Sequence, residues 1–269
     1  MLLNPRIFFS HLIKNIFPFA AICLLPLLFS CGFQKSVIVS SDSSMGEIPA
    51  KVAGSINEND IFSAVVQMAI ITKDGYYPAR AALIIKRPSY FRLELLPIIG
   101  VPDLFLAATP EKMSVYVPSR GEFYSGRPTA SNMKKFLPWP IELEDMIMIF
   151  TGTYPAFPEK DISYQEYQEN NRLRVDMKAP SGCSQTIWIG DRNKLLELVH
   201  RDEQGRELYN VKYIYDKNDD AFPEKITISM ADGITSLSVK YSDVKIEKTP
   251  DLSIFDLVIP ADVKAIPLD

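Results

Sequence analysis

The sequence predicts a mainly β protein with a helical insert, built on one large antiparallel sheet of about ten to twelve strands. Three observations carry this. Apolar residues recur at every second position in segment after segment, which marks strands with one dry and one wet face. Turn-forming clusters such as Lys73-Asp74-Gly75, Ser119-Arg120-Gly121 and Asp232-Gly233 fall between the segments. No alternation of strand and helix patterns runs along the chain, so a parallel α/β sheet is not expected.

The elements follow in chain order. Residues 1–30 begin with Arg6, His11 and Lys14 and continue into the apolar run 16–29. That run is shorter than the ~20 residues of a membrane-spanning helix and suits the core of a signal peptide. It ends Leu28-Phe29-Ser30-Cys31-Gly32, which resembles the lipobox of bacterial lipoproteins. There the cysteine is lipidated and the peptide before it is removed, so Cys31 would become the first residue of the mature chain. The alternative is an ordinary secreted protein with a buried Cys31. Gly32 is not the Asp that retains many Gram-negative lipoproteins in the inner membrane, so the outer membrane is favoured. Residues 31–54 then form a lipidated N-terminus and a Ser-rich tether.

From Phe62 the period-two pattern begins. Phe62, Ala64, Val66, Met68 and Ile70 share a face, and residues 81–86 are apolar on both faces. Residues 89–126 read as four short strands. Their first turn carries Ile98, Ile99 and Val101, where polar residues normally sit. Aliphatic side chains on a surface turn need an apolar receiver. A membrane, a lipid-modified partner and the domain's own core are the candidates. Residues 128–152 interrupt the strands. Thr129 can cap a short helix, Pro138 and Pro140 break it, and a second helix over 141–151 places Leu143, Met146, Ile147 and Phe150 on one stripe before Gly152. Glu142, Glu144 and Asp145 suit its first turn as solvated, dipole-matched carboxylates. Alternation resumes at Leu173, Val175 and Met177, then in segments centred on Val211, Ile228 and Val239. The two halves share one texture and no linker separates them, so residues 55–269 read as one domain.

Composition narrows the function. The net charge is −4, and −6 without Arg6 and Lys14 of the leader, which is no nucleic-acid footprint. Cys183 is the single thiol of the body, so no internal disulfide is expected there. His200 is its single histidine, which excludes a multi-histidine metal site; it reads as a surface or packed residue. Asp216, Asn218 and Asp220 imitate the start of a calcium loop, but Ala221 stands where glycine is needed. No phosphate loop, dinucleotide fingerprint or nucleophile elbow occurs, so neither an enzyme nor a bound cofactor is expected.

The segments Tyr90-Phe91-Arg92-Leu93-Glu94-Leu95 and Pro97-Ile98-Ile99-Gly100, and the stretch from Tyr116 to Phe123-Tyr124-Ser125-Gly126, resemble the central region of LolB-type outer-membrane lipoprotein receptors. Leu137-Pro138 with Pro140 continues the match, and so does Ile254-Phe255-Asp256-Leu257 with Ile259-Pro260. The resemblance spans roughly residues 61–259 and implies a half-open antiparallel β-barrel with helices covering its concave face. The cavity between them would hold acyl chains, lined by Leu93, Leu95, Val115, Met146, Phe150, Leu173, Val175, Ile226 and Ile228. Ile98, Ile99 and Val101 would form a membrane-inserting loop. The implied partners are acylated lipoproteins, their LolA-like periplasmic carrier, and membrane lipid through lipidated Cys31, with the chain itself a monomer. Two other readings of the fold stay open: binding of another amphiphile such as a glycolipid, and a purely structural envelope lipoprotein.

Overall fold

The computed structural model describes residues 37–38, 56–97, 99–137, 141–216, 222–248 and 251–269. All of them belong to one compact unit, Val37–Asp269. Its strands are β1 (Val37–Ile38), β2 (Ile61–Thr72), β3 (Gly75–Lys86), β4 (Tyr90–Leu96), β5 (Leu104–Ala108), β6 (Met113–Val117) and β7 (Glu122–Gly126) before the insert. After it come β8 (Ser163–Glu169), β9 (Arg172–Lys178), β10 (Ser184–Ile189), β11 (Leu195–Arg201), β12 (Glu207–Ile214), β13 (Lys225–Met230), β14 (Ser236–Glu247) and β15 (Ala265–Pro267). The insert carries two helices, α1 (Ala130–Met133) and α2 (Leu143–Phe150).

All fifteen strands join one open sheet in the order β1-β8-β9-β10-β11-β12-β13-β14-β2-β3-β4-β5-β6-β7-β15. Two antiparallel meanders, β2–β7 and β8–β14, meet where β14 pairs with β2. The sheet exceeds the expected ten to twelve strands for identifiable reasons. β8 reads SYQEYQE and has no apolar alternation, while β1 and β15 are two and three residues long and carry no period. Val37–Ile38, expected within the tether, pairs with β8, and β15 pairs parallel with β7. The remainder of the expected tether, the signal peptide and Cys31 lie outside the described residues.

Strand register explains the core. Cross-strand partners share a face, so the pairings align Val175, Ile187, Leu198, Val211, Ile228 and Leu237 in one buried row. A second row runs Ala64, Leu83, Leu93, Leu106, Val115. Both belong to a single core cluster with the buried stripe of α2: Leu143, Met146, Ile147, Ile149 and Phe150. Bulged registers at Trp188/Ile189, His200/Arg201 and Ser242/Lys245 add bend and twist to the sheet.

The insert folds as its residues dictate. Thr129 caps α1, its Oγ1 accepting from the Asn132 N–H at 3.3 Å. Gly152 follows α2 with φ +78°, and a Cβ there would stand 3.1 Å from Pro223 Cδ. The carbonyls left over at the end of α2 are taken up by the sheet. Tyr241 Oη donates to Phe150 O at 3.0 Å and Tyr213 Oη to Thr153 O at 2.7 Å. The Phe150 ring meets Phe91 of β4 at 6.3 Å. β12 and β4 stand five places apart in the strand order, ~24 Å in a flat sheet, so contact of both with four residues of the insert requires a curled one.

The C-terminal segment packs on the other face. Phe255 is buried against Tyr90, and Arg92 Nη1 donates to Ile254 O at 2.6 Å.

The buried Arg87 guanidinium ties three parts together, donating to Thr151 Oγ1 (2.8 Å), Thr151 O (3.2 Å) and Ile56 O (2.9 Å). Arg87→Met leaves these acceptors unpaired inside the protein. It is expected to lower stability by about 3 kcal/mol, read as a lower urea midpoint at unchanged slope.

Candidate functional site

A cleft of about 950 Å³ opens beside the N-terminal turn of α2. Its walls are the β2–β3 turn (Thr72, Lys73, Asp74), the β13–β14 turn (Ala231, Asp232, Ile234, Thr235) and the helical insert (Lys134, Ile141, Glu142, Asp145). His200, Leu208, Tyr209 and Met230 form the sheet side. Ile141, Leu208, Met230, Ala231 and Ile234 make its apolar wall, the rest of the border is polar or aromatic, and the charges of its rim have mixed sign, so a strongly charged ligand has no matching field. Asp232 is already committed within its own turn. It accepts from Ile234 N, Thr235 N and Thr235 Oγ1, which hold its carboxyl below the usual range.

The nine residues expected to line an acyl-chain cavity are elsewhere. Leu93, Val115, Met146, Phe150, Val175, Ile226 and Ile228 are buried in the core, and Leu95 and Leu173 pack against it. None of the nine borders the cleft. The apolar stripe of α2 belongs to the same buried cluster, and the cleft opens beside the first turn of that helix.

The turn between β4 and β5 behaves differently. Ile99 is 91% exposed and Val101 71% exposed. Ile98 lies outside the described residues. The exposed backbone bend is permitted by Gly100 at φ +106°, with nothing near its missing Cβ. Leu96 pairs with Arg80, and Thr72 with Gly75, so this turn projects from the same end of the sheet as the β2–β3 turn. Ile71 pairs with Ser236 and Tyr209 with Met230, which sets the β13–β14 and β11–β12 turns at that end as well. The exposed turn and the cleft therefore share one end of the sheet. Tyr76, Tyr77 and Ile234 add exposed apolar surface there.

Where α2 meets the sheet, the cleft is bordered by Asp145, Tyr209 and His200. The Asp145 carboxyl is pushed up to about 6, first by burial and then by Glu142 nearby, while the hydrogen bond from Tyr209 Oη at 3.4 Å acts the other way. The Tyr209 ring stacks on His200 at 5.0 Å, and Phe157 stands 6.3 Å away on the imidazole. Burial lowers the His200 pKa, which favours neutral imidazole. Its Nδ1 is buried and finds no partner among the described residues, and the same is true of Gln185 Oε1 and Tyr154 Oη. Each such atom carries a desolvation penalty of ~1–3 kcal/mol.

No family model and no curated protein matches the sequence. Solved structures do match the fold. A domain assigned to outer membrane lipoprotein sorting, from Vibrio parahaemolyticus, superposes with a TM-score of 0.54 at 12% identity, covering 78% of this chain and 93% of that one. The fold is of the LolA/LolB type. A LolA superfamily protein from Nitrosomonas europaea gives 0.54 at 16% identity over 78% of this chain and 96% of its own. A DUF1329 family protein from Desulfovibrio piger gives 0.52 at 12% identity over 74% and 90%. Within this LolA/LolB-type fold the aliphatic turn of β4–β5 was legible in sequence. His200 and Asp145 were not assigned to a site. His200 does carry a signal, since it has the same phase as Leu198 and must face inward with it. Asp145 reads as a solvated first-turn carboxylate, and only the hydroxyl of Tyr209, 64 residues away, reveals otherwise.

The Asp145 shift has a sign. Its folded-state value lies above the unfolded 3.8, so the folded protein holds the extra proton between about pH 4 and 6. The stability this group contributes falls as pH rises through that window. Asp145→Asn is expected to flatten that dependence and to add about 2 kcal/mol at pH 7.5, measured by urea unfolding across pH 4–8.

Proposed function

We propose that this chain is a lipid-anchored, periplasm-facing receptor of the outer membrane. It accepts the acyl chains of lipoproteins from a periplasmic carrier and aids their insertion into the bilayer. The observation that carries this reading is the pairing of a cleft that has an apolar wall with the exposed Ile99 and Val101 of a turn at the same end of the sheet. The LolA/LolB-type fold supports it, as does the assignment of a structural neighbour to outer membrane lipoprotein sorting. Cys31 is the anchor, six residues ahead of Val37 in the edge strand β1, and no covalent chemistry is involved.

The energetics suit the role. Each acyl CH₂ removed from water yields ~0.8 kcal/mol, so a multi-chain anchor needs an apolar receiver at every stage of transit. The cleft falls within the ~300–1,000 Å³ of ordinary ligand sites. A rival reading, an anchored scaffold with a filled interior, draws on the close packing of the nine inward residues. The cleft and the exposed turn favour the receptor, because a scaffold has use for neither.

Two outcomes test the proposal. Ile99→Glu is expected to fold normally but to strand acylated lipoproteins in the periplasm of a strain with no other receptor; normal delivery by that protein would contradict the reading. Cys31→Ala is expected to abolish incorporation of radiolabelled palmitate and to release the protein from membranes on fractionation.

A further inference from the structure

A groove of about 320 Å³ lies on the inner face of the first meander and shares no lining residue with the cleft. Strand phase sets its floor. Leu104 is in phase with Leu106, and Val117 with Val115, so both face inward beside that buried row. Tyr124 pairs with Val115 and faces the same way. Phe136, just past α1, stands over Tyr124 with ring centroids 5.1 Å apart. Leu268 closes one side. Its N–H donates to Ser125 O at 3.0 Å, and a Cβ on Gly126 would stand 2.7 Å from its own Cβ, so only glycine admits it there. All five floor residues pack against the core but are only half-buried, which leaves surface for a ligand to touch. The groove opens beside the turn of Ile99 and Val101, since Leu104 begins the strand after that turn.

Unlike the cleft, the groove has a rim of one sign. Arg120 after β6 and Lys135 after α1 both line it and both are exposed, and among the described residues no carboxylate lines it. The nearby acids are engaged elsewhere. Glu122 accepts from Tyr124 Oη at 2.7 Å and approaches Arg120 only to 3.7 Å. Asp269 accepts from Asn132 Nδ2 at 2.6 Å and from the Arg127 N–H at 3.0 Å. Lys135 uses one of its three donors on Leu268 O, at 2.8 Å. The Arg120 side chain is 69% exposed, so its fork of donors is open to an anion arriving from water.

We propose that this groove binds one acyl chain that ends in an anion, with the chain along Leu104, Val117 and Phe136 and the carboxylate or phosphate at Arg120 and Lys135. The site is separate from the cleft and does not depend on the receptor reading. Its volume is at the low end of the ~300–1,000 Å³ of ordinary ligand sites, which suits one chain and not the several of a lipoprotein anchor. The guanidinium fork matches carboxylate and phosphate oxygens alike, and the lysine adds a point charge. Both cations sit in water at the rim, so the anion keeps part of its hydration and avoids the penalty of a buried charge. An uncharged chain gains nothing from that rim, and a cationic one is repelled by it. The anion comes either from a free fatty acid or from a single-chain phospholipid.

The full chain, held in phosphatidylcholine vesicles, is offered three diazirine photoprobes of equal chain length: a fatty acid, a lysophosphatidic acid and a fatty alcohol. Cross-linked peptides are mapped by mass spectrometry. Peptides holding residues 117–124 and 135–136 are expected to be labelled about tenfold more by at least one anionic probe than by the alcohol. Arg120→Gln combined with Lys135→Gln is expected to erase that preference. Both side chains are exposed, so the urea midpoint is expected to hold. Preference for the fatty acid names a free acid as the source, and preference for the lysophosphatidic acid names a phospholipid; either supports the site. Preference that survives in the double variant overturns it, and so does equal labelling of these peptides by all three probes. Labelling confined to the peptides of the cleft overturns the groove and leaves the receptor reading standing. Absence of any labelling also overturns the groove.

Discussion

Three side-chain donors fasten the end of α2 to the sheet, and the position of each functional group follows from that fastening. A helix leaves its last carbonyls without partners. Here Tyr241 of β14 donates to Phe150 O, Arg87 from the β3–β4 turn to Thr151 O, and Tyr213 of β12 to Thr153 O. Donors from three separate parts of the chain thus converge on three residues, Phe150, Thr151 and Thr153. With that end fixed, the apolar stripe of α2 joins the core cluster of the sheet, and its first turn borders the cleft. The cleft is the space between that turn and the hairpins beyond it.

Much of the sheet was legible because period-two alternation survives wherever one face is dry. β2, β4, β6, β9, β12, β13 and β14 carry it, while β3 reads as apolar on both faces. What escaped was of two kinds. β8 faces its neighbours with Ser, Gln and Glu, so its strand character comes from pairing to β9 and not from its own pattern. β1 and β15 are edge pieces whose few residues cannot show a period. The exposed Ile99 was legible for the opposite reason: an aliphatic side chain in a glycine turn violates the expected pattern. The row Gln185, His200, Tyr209 was not legible, since these residues become neighbours only through the register of three strands. Single polar residues in inward phase are easily read as tolerated exceptions.

The inner face carries two kinds of surface. Five large side chains of α2 are buried in the core cluster together with its apolar rows. At the row nearest the open end the sheet changes character, and the chain places Asp145 there in a partly dehydrated setting. That placement is unfavourable for folding, which the raised carboxyl pKa expresses directly. Local unfavourable burial at one end of an otherwise well-satisfied core is the pattern expected where structure is given over to binding.

If the proposed function holds, the place of the cleft changes what transfer asks of the protein. An empty barrel would bind chains tightly and release them with difficulty. A cleft that none of the nine inward residues borders offers the ligand fewer apolar contacts, so retention would be moderate. Handing an acyl chain onward then requires only a small bias, ~1.4 kcal/mol for each factor of ten. Seating one isoleucine side chain in the bilayer yields ~1.5–3 kcal/mol. Ile99, almost wholly in water and on the side of the domain where the cleft opens, is of the right size to supply such a bias without any other source of free energy.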